Sequence, residues 1–146
     1  MARKSTKTYI EFSKDSIQHF DALKERMRGA DKASPSNVEV LLFAMAFGFR
    51  AGNRVAEITK SGTGVRVEYL RPEHEALLAA VQLATTKSNE SLVDLDERYS
   101  IAEQYAEGGI RLLALELDKP GDFNQSIASE LVTMAKVLEV LADDDE

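Results

Sequence analysis

Residues 38–49 (VEVLLFAMAFGF) restrict the fold of this chain more than any other stretch. Leu41, Leu42, Phe43, Met45, Phe47 and Phe49 leave no polar stripe on a helix built from them. A helix that is apolar on every side is buried on every side. The run is too short to cross a membrane, which takes about 20 apolar residues. It is therefore expected to form a central core helix, or a core helix that also makes a dimer interface. Its start is marked by Pro35 and by the pair Ser36 and Glu39, which reads S-x-x-E, a capping box. Gly48 weakens the helix near its end, and Gly52 is expected to terminate it.

The elements around this helix follow from periodicity. Residues 7–12 alternate, with Thr8, Ile10 and Phe12 on one side and Lys7, Tyr9 and Glu11 on the other, so they read as a short strand. Ser13 can cap the helix that follows, whose apolar face is Ile17, Phe20, Leu23 and Met27 and whose stop is Gly29. Beyond the central helix, RVAEI and VRVEYL are expected to pair as a hairpin around a Gly-rich turn. Pro72 opens a helix with Leu77, Leu78, Val81 and Ala84 inward. Another helix starts near residues 92–94 and runs through Tyr99, Ala102 and Tyr105. Gly108 and Gly109 are expected to interrupt or bend it before Ile110, Leu112, Leu113 and Leu117 continue the apolar pattern. Lys119-Pro120-Gly121 breaks the chain. Residues 122–141 carry Ile127, Leu131, Met134, Leu138 and Leu141, a seam for another helix. The expected fold is mainly α with a short N-terminal strand and a mid-chain β-hairpin. Residues 1–54 form a strand–helix–helix part and residues 55–146 a hairpin plus acidic helices, packed as one domain.

Composition narrows the function. With 146 residues, 44% hydrophobic and 29% charged, the chain is globular, with length for one domain or two very small ones. It has no Cys, which excludes disulfides, thiolate metal sites and cysteine nucleophiles, and suits a reducing cytoplasm. The basic start ARKSTKT runs into polar residues rather than the apolar core of a secretion signal, so a cytoplasmic protein is expected. Net charge is −7 but divided: residues 1–71 hold 13 Lys and Arg against 8 Asp and Glu (net +5), residues 72–146 hold 5 against 17 (net −12). Any contact with nucleic-acid phosphate belongs to the first half. His19 and His74 lie among charged residues in predicted helices and read as surface histidines. The SGTG segment lacks the spacing of a phosphate-binding P-loop. Asp94, Asp96 and Glu97 lack the ligand spacing of a calcium loop and read as acids at a helix N-terminus. No catalytic, metal or cofactor site is expected, and the protein is read as non-enzymatic.

Two resemblances add to this. The order strand, helix, capped linker, apolar helix over residues 7–52 resembles the ribbon–helix–helix plan. That resemblance implies a homodimer whose paired strands enter the major groove, with the second helix start on phosphate. It places Lys7, Tyr9 and Glu11 outward on the strand, Ser36 and Asn37 at the helix start, and Arg3 and Lys4 on an arm. The second covers residues 38–117. FAMAFGFRAGNR, a Gly-rich segment, RPEHEALLAAVQLA and then IAEQYAEGGI resemble the small accessory proteins of bacterial DNA phosphorothioation (Dnd) systems. This implies a role in defence against foreign DNA, beside larger enzymes of a DNA-modification or restriction system. It also draws attention to Arg50, Asn53 and Arg54, which lie in the matching motif just after the core helix. The leading reading is an accessory protein that binds DNA, or its machinery, through the N-terminal half, with Lys4, Lys7, Tyr9, Ser36, Asn37, Arg50 and Arg54 as the DNA-binding candidates. The alternatives are an adaptor that recruits protein through its acidic half, and a ribbon–helix–helix transcriptional regulator.

Overall fold

The computed structural model describes residues 6–28 and 35–117. Lys4, Gly29, the break at residues 119–121 and the seam at residues 122–141 lie outside them. The elements are β1 (Tyr9–Ser13), α1 (Ile17–Met27), α2 (Asn37–Ala51), β2 (Lys60–Arg66), α3 (Pro72–Thr86) and α4 (Leu95–Leu117). The chain is mainly helical with one two-stranded antiparallel sheet, the class its periodicity implies. The boundaries of α2 have the expected causes. The Ser36 hydroxyl accepts the Glu39 N–H at 3.2 Å, and Gly52 ends the helix with φ +71°, a conformation that costs a glycine little.

The crossing of α2 with α4 organises the core. Ala44 and Gly48 on α2 face Gly109 and the Tyr105 carbonyl on α4 so closely that the backbones touch, and Gly108 lies as close to Asn53 in the segment after α2. A Cβ on Gly48 would run into the Tyr105 carbonyl, on Gly109 into the Ala44 carbonyl, and on Gly108 into the Asn53 carbonyl. The expectation that the glycine pair interrupts the helix is therefore corrected: α4 is unbroken from Leu95 to Leu117. Packing, which single-helix propensity omits, offsets the propensity cost of about 1 kcal/mol per glycine. The exit of α2 is tied to the same helix. Asn53 Nδ2 donates to the Gly108 carbonyl (2.9 Å), Arg54 Nε to Gln104 Oε1 (2.6 Å), and Gln104 Nε2 to the Ala56 carbonyl (3.1 Å). FAMAFGFRAGNR and IAEQYAEGGI are thus the two halves of one joint. Nor is α2 buried all round. Val40, Leu41, Ala44 and Met45 are buried, Leu42, Phe43 and Phe47 partly so, while Ala46 and Phe49 are exposed, Phe49 meeting the Tyr105 ring of α4 edge-on at 5.4 Å.

The sheet differs from the expected hairpin in its partner. RVAEI is not a strand, and the segment KSGTGVR, read as turn plus strand, is itself β2 and pairs with β1. Register runs Tyr9↔Arg66, Ile10↔Val65, Glu11↔Gly64 and Ser13↔Lys60, so residues 61–63 bulge opposite the single residue Phe12. The bulge has its own bonds: the Ser61 hydroxyl donates to the Phe12 carbonyl (2.6 Å) and Gly62 N–H donates to Glu11 Oε1 (2.7 Å). A Cβ on Gly64 would strike the Ile10 carbonyl, so glycine lets the strands approach. Ile10 and Phe12 point inward, as their alternation requires, and Phe12 stacks on Phe20 at 4.0 Å.

Three carboxylates of α4 line the start of the chain. Asp96 accepts the N–H groups of Thr6 (3.0 Å) and Lys7 (2.9 Å), and Glu103 accepts the Glu11 N–H (2.7 Å) while pairing with Lys7 Nζ (2.9 Å). Glu107 accepts from the Ser16 hydroxyl (2.7 Å) and Arg111 Nε (2.8 Å). The strand–helix–helix order at the N-terminus stands as expected. A ribbon shared with a second chain would have to displace either β2 or Glu103 from β1. One core and one sheet join the two parts of the chain, since β1, α1 and α2 contribute to the same buried cluster as β2, α3 and α4.

Candidate functional site

The first turn of α2 opens into a cleft of about 570 Å³. Its floor is Ser36, Asn37 and Val38 at the helix start, where backbone N–H groups of the first turn have no carbonyl ahead of them in the helix. The 15-residue helix also directs the positive end of its dipole here. Asn37 fastens the floor to both neighbours. Its Oδ1 accepts from Lys24 Nζ on α1 (3.1 Å) and its Nδ2 donates to the Gly64 carbonyl on β2 (3.0 Å).

Two walls rise from this floor. Tyr9 of β1 stands beside Val65 and Arg66 of β2. The opposite wall comes from the 3₁₀ turn Val67–Tyr69 and the start of α3, with Tyr69, Arg71 and His74. His74 Nδ1 accepts the Arg71 N–H at 3.1 Å, which caps α3 and leaves the proton of the neutral ring on Nε2. Arg66 and Arg71 reach Glu68 and Glu73 at 3.4 and 3.6 Å, but all four side chains are more than half exposed. Exposed pairs of this kind are worth about 0–1 kcal/mol, so both guanidiniums are available to an anion. With Lys24 they set three cations against one acid on the cleft, Glu39.

Three of the seven candidate residues, Tyr9, Ser36 and Asn37, meet in this cleft. Lys7 does not join them; its side chain is 16% exposed and ion-paired to Glu103. Arg50 and Arg54 sit at the far end of α2, about 22 Å away at 1.5 Å per residue. Arg54 is bonded to Gln104, with its guanidinium 5.9 Å over the Tyr105 ring. Sequence reasoning missed Lys24, Arg66, Tyr69, Arg71 and His74. The signal was present in VRVEYLR, where arginines flank an aromatic, but the segment reads as a strand with alternating faces rather than as a cleft wall.

Other polar clusters resolve structurally. Asp94 Oδ1 accepts the Glu97 N–H (3.1 Å), an N-cap, and Asp96 holds Thr6 and Lys7 ahead of β1. Buried Gln82 donates to the carbonyls of Ser91 (2.5 Å) and Asp94 (3.0 Å) and accepts from Arg98 (3.0 Å). Arg98 also binds Glu75 at 2.9 Å, locking α3 to α4. Among the described residues there is no group of three or more His, Asp or Glu placed to hold a metal ion, and no helix long and apolar enough to cross a membrane.

Comparison with known proteins agrees with the motifs of the α2–α4 joint. A family model described as DNA sulphur modification system-associated protein 4 matches residues 10–144. No curated protein and no solved structure matches the chain. The match spans both halves of the joint and every wall of the cleft except part of Tyr9's strand. The chain belongs to the DNA sulphur modification system-associated protein 4 family.

Proposed function

We propose that this protein is a non-enzymatic, cytoplasmic accessory subunit of a DNA sulphur modification system, and that it engages DNA through the cleft at the start of α2. The observation that carries the reading is the convergence of Lys24, Arg66 and Arg71 from three elements on one helix N-terminus. Oriented N–H groups and guanidiniums are the donors that hold phosphate oxygens. Family membership supplies the context, a system that acts on DNA, and makes other proteins of that system its partners. The acidic half of the chain, net −12 over residues 72–146, keeps DNA on the basic side.

A salt titration tests this. Three phosphate contacts predict that affinity for a DNA duplex falls about 40-fold between about 50 and 200 mM salt. Lys24→Glu combined with Arg71→Glu should abolish binding and leave the melting temperature near that of the parent. Absence of binding at low salt would remove the DNA reading and favour an adaptor that contacts protein only.

A further inference from the structure

The cleft does not end at Tyr9. A second recess of about 410 Å³, lined by Thr8, Tyr9, Arg66, Val67 and Glu68, shares this tyrosine and Arg66 with the main cleft. We propose that these two recesses together take an unpaired segment of a DNA strand, one nucleotide in the main cleft and its neighbour in the second recess, in preference to a duplex. The inference rests on the DNA-binding reading above and adds the state of the strand.

Three features point the same way. The first is shape. The main cleft has the size of pockets that enclose a small organic ligand. A duplex backbone is a convex rod and needs surface charge rather than a recess. The second is aromatic exposure. Tyr69 is 66% exposed although it is a large aromatic, and it lies between Arg66 and Arg71. Tyr9 lines both recesses. Aromatic faces set among cations are what single-strand binders use, because every base offers a π-face and the backbone threads past positive charge. The third is the charge of the walls. Glu39 on the main cleft and Glu68 on the second recess oppose phosphate. Either form passes both acids, but a duplex carries one charge per about 1.7 Å, while one strand carries half as many and shows its bases to the tyrosines. The second recess also separates a strand from a free nucleotide, which fills only one.

Fluorescence anisotropy on the full chain decides this, with a labelled oligothymidylate of about 12 nucleotides, a duplex of equal length, and thymidine monophosphate as competitor. The expected result is that the single strand binds about tenfold or more tighter than the duplex, and that the mononucleotide competes about 100-fold more weakly than unlabelled oligonucleotide. Tyr69→Ala should weaken single-strand binding about tenfold, narrow the preference for single strand over duplex and leave the melting temperature unchanged, and Tyr69→Trp should retain single-strand binding. Duplex binding equal to or tighter than single-strand binding, with no effect of Tyr69→Ala, overturns the inference and leaves the DNA-binding reading standing. A mononucleotide as effective as the oligonucleotide overturns the two-recess strand. Failure to bind either DNA probe overturns the DNA-binding reading itself, and this inference with it.

Discussion

Gly48 and Gly109 show how a single missing methyl can decide a helix crossing. In an isolated helix, Gly→Ala gains about 1 kcal/mol from propensity alone. Here the new Cβ at either position would lie closer than 3.0 Å to backbone atoms of the facing helix, which cannot rotate away. Gly48→Ala and Gly109→Ala should each destabilise the protein by about 2–3 kcal/mol in urea unfolding. Gly52→Ala has open space around the added methyl and meets only the backbone penalty, about 1 kcal/mol. A second residue-scale effect sits at Tyr99. Burial, and next its hydrogen bond to Glu75 (2.7 Å), hold its hydroxyl well above the ordinary tyrosine range. The folded pKa exceeds the unfolded value of about 10, so the folded state holds its proton where the unfolded chain loses it. The stability this group contributes is complete below about pH 10 and is lost as pH rises through the folded pKa. Tyr99→Phe should lower stability at neutral pH by about 1.5 kcal/mol and flatten the decline above about pH 10, both read from urea midpoints.

At the scale of elements, α4 does two jobs with two faces. One face presents glycines to α2, and another presents Asp96, Glu103 and Glu107 to the chain's N-terminal segment. Lone carboxylates buried as far as Glu103 and Glu107 would be costly; Glu103 is met by the Glu11 N–H and Lys7, and Glu107 by Ser16 and Arg111 through one oxygen, while its Oε2 is buried without a partner among the described residues. Glu103→Ala leaves the part-buried Lys7 ammonium and the Glu11 N–H without this acceptor, and should cost about 3 kcal/mol. Amide exchange in residues 7–13 should accelerate more than in α3. The start of α2 combines structure with the proposed chemistry. Ser36→Ala removes the cap to Glu39 and should cost about 1 kcal/mol.

For the molecule as a whole, the two ends of α2 have different work. The N-terminal end faces the cleft, and the C-terminal end is spent on the joint with α4, through Asn53 and Arg54. Arg54→Ala should therefore lower the melting temperature by a few degrees, consistent with about 1 kcal/mol, while DNA affinity stays within twofold of the parent. Lys24→Ala should do the reverse, and a calorimetric scan beside an anisotropy titration separates the two effects. The division of charge between the halves places both outcomes in one picture: the basic part carries the proposed ligand surface, and the acidic α4 carries the scaffold.

Local chemistry alone settled a large part of this protein. The cap at Ser36, the stop at Gly52, Pro72 at the start of α3 and the alternation of Ile10 and Phe12 are interactions among near neighbours, and each stands where the residues place it. FAMAFGFRAGNR and IAEQYAEGGI resemble the family whose model matches residues 10–144, and they form the joint between α2 and α4. Tertiary structure decided what depends on distant partners. β2 chose β1 instead of its own neighbour, because residues 61–63 form a bulge satisfied by Glu11 and the Phe12 carbonyl. Gly108 and Gly109 became contact surface instead of a break, because α2 lies against Gly109 and the segment after it, at Asn53, lies against Gly108. Of the seven candidate residues, Tyr9, Ser36 and Asn37 meet at one site, joined by Lys24, Arg66, Tyr69, Arg71 and His74, which no local pattern connects. Burial and periodicity act within a few residues and so can be read along the chain. A cleft is made by segments that meet only once the core has formed.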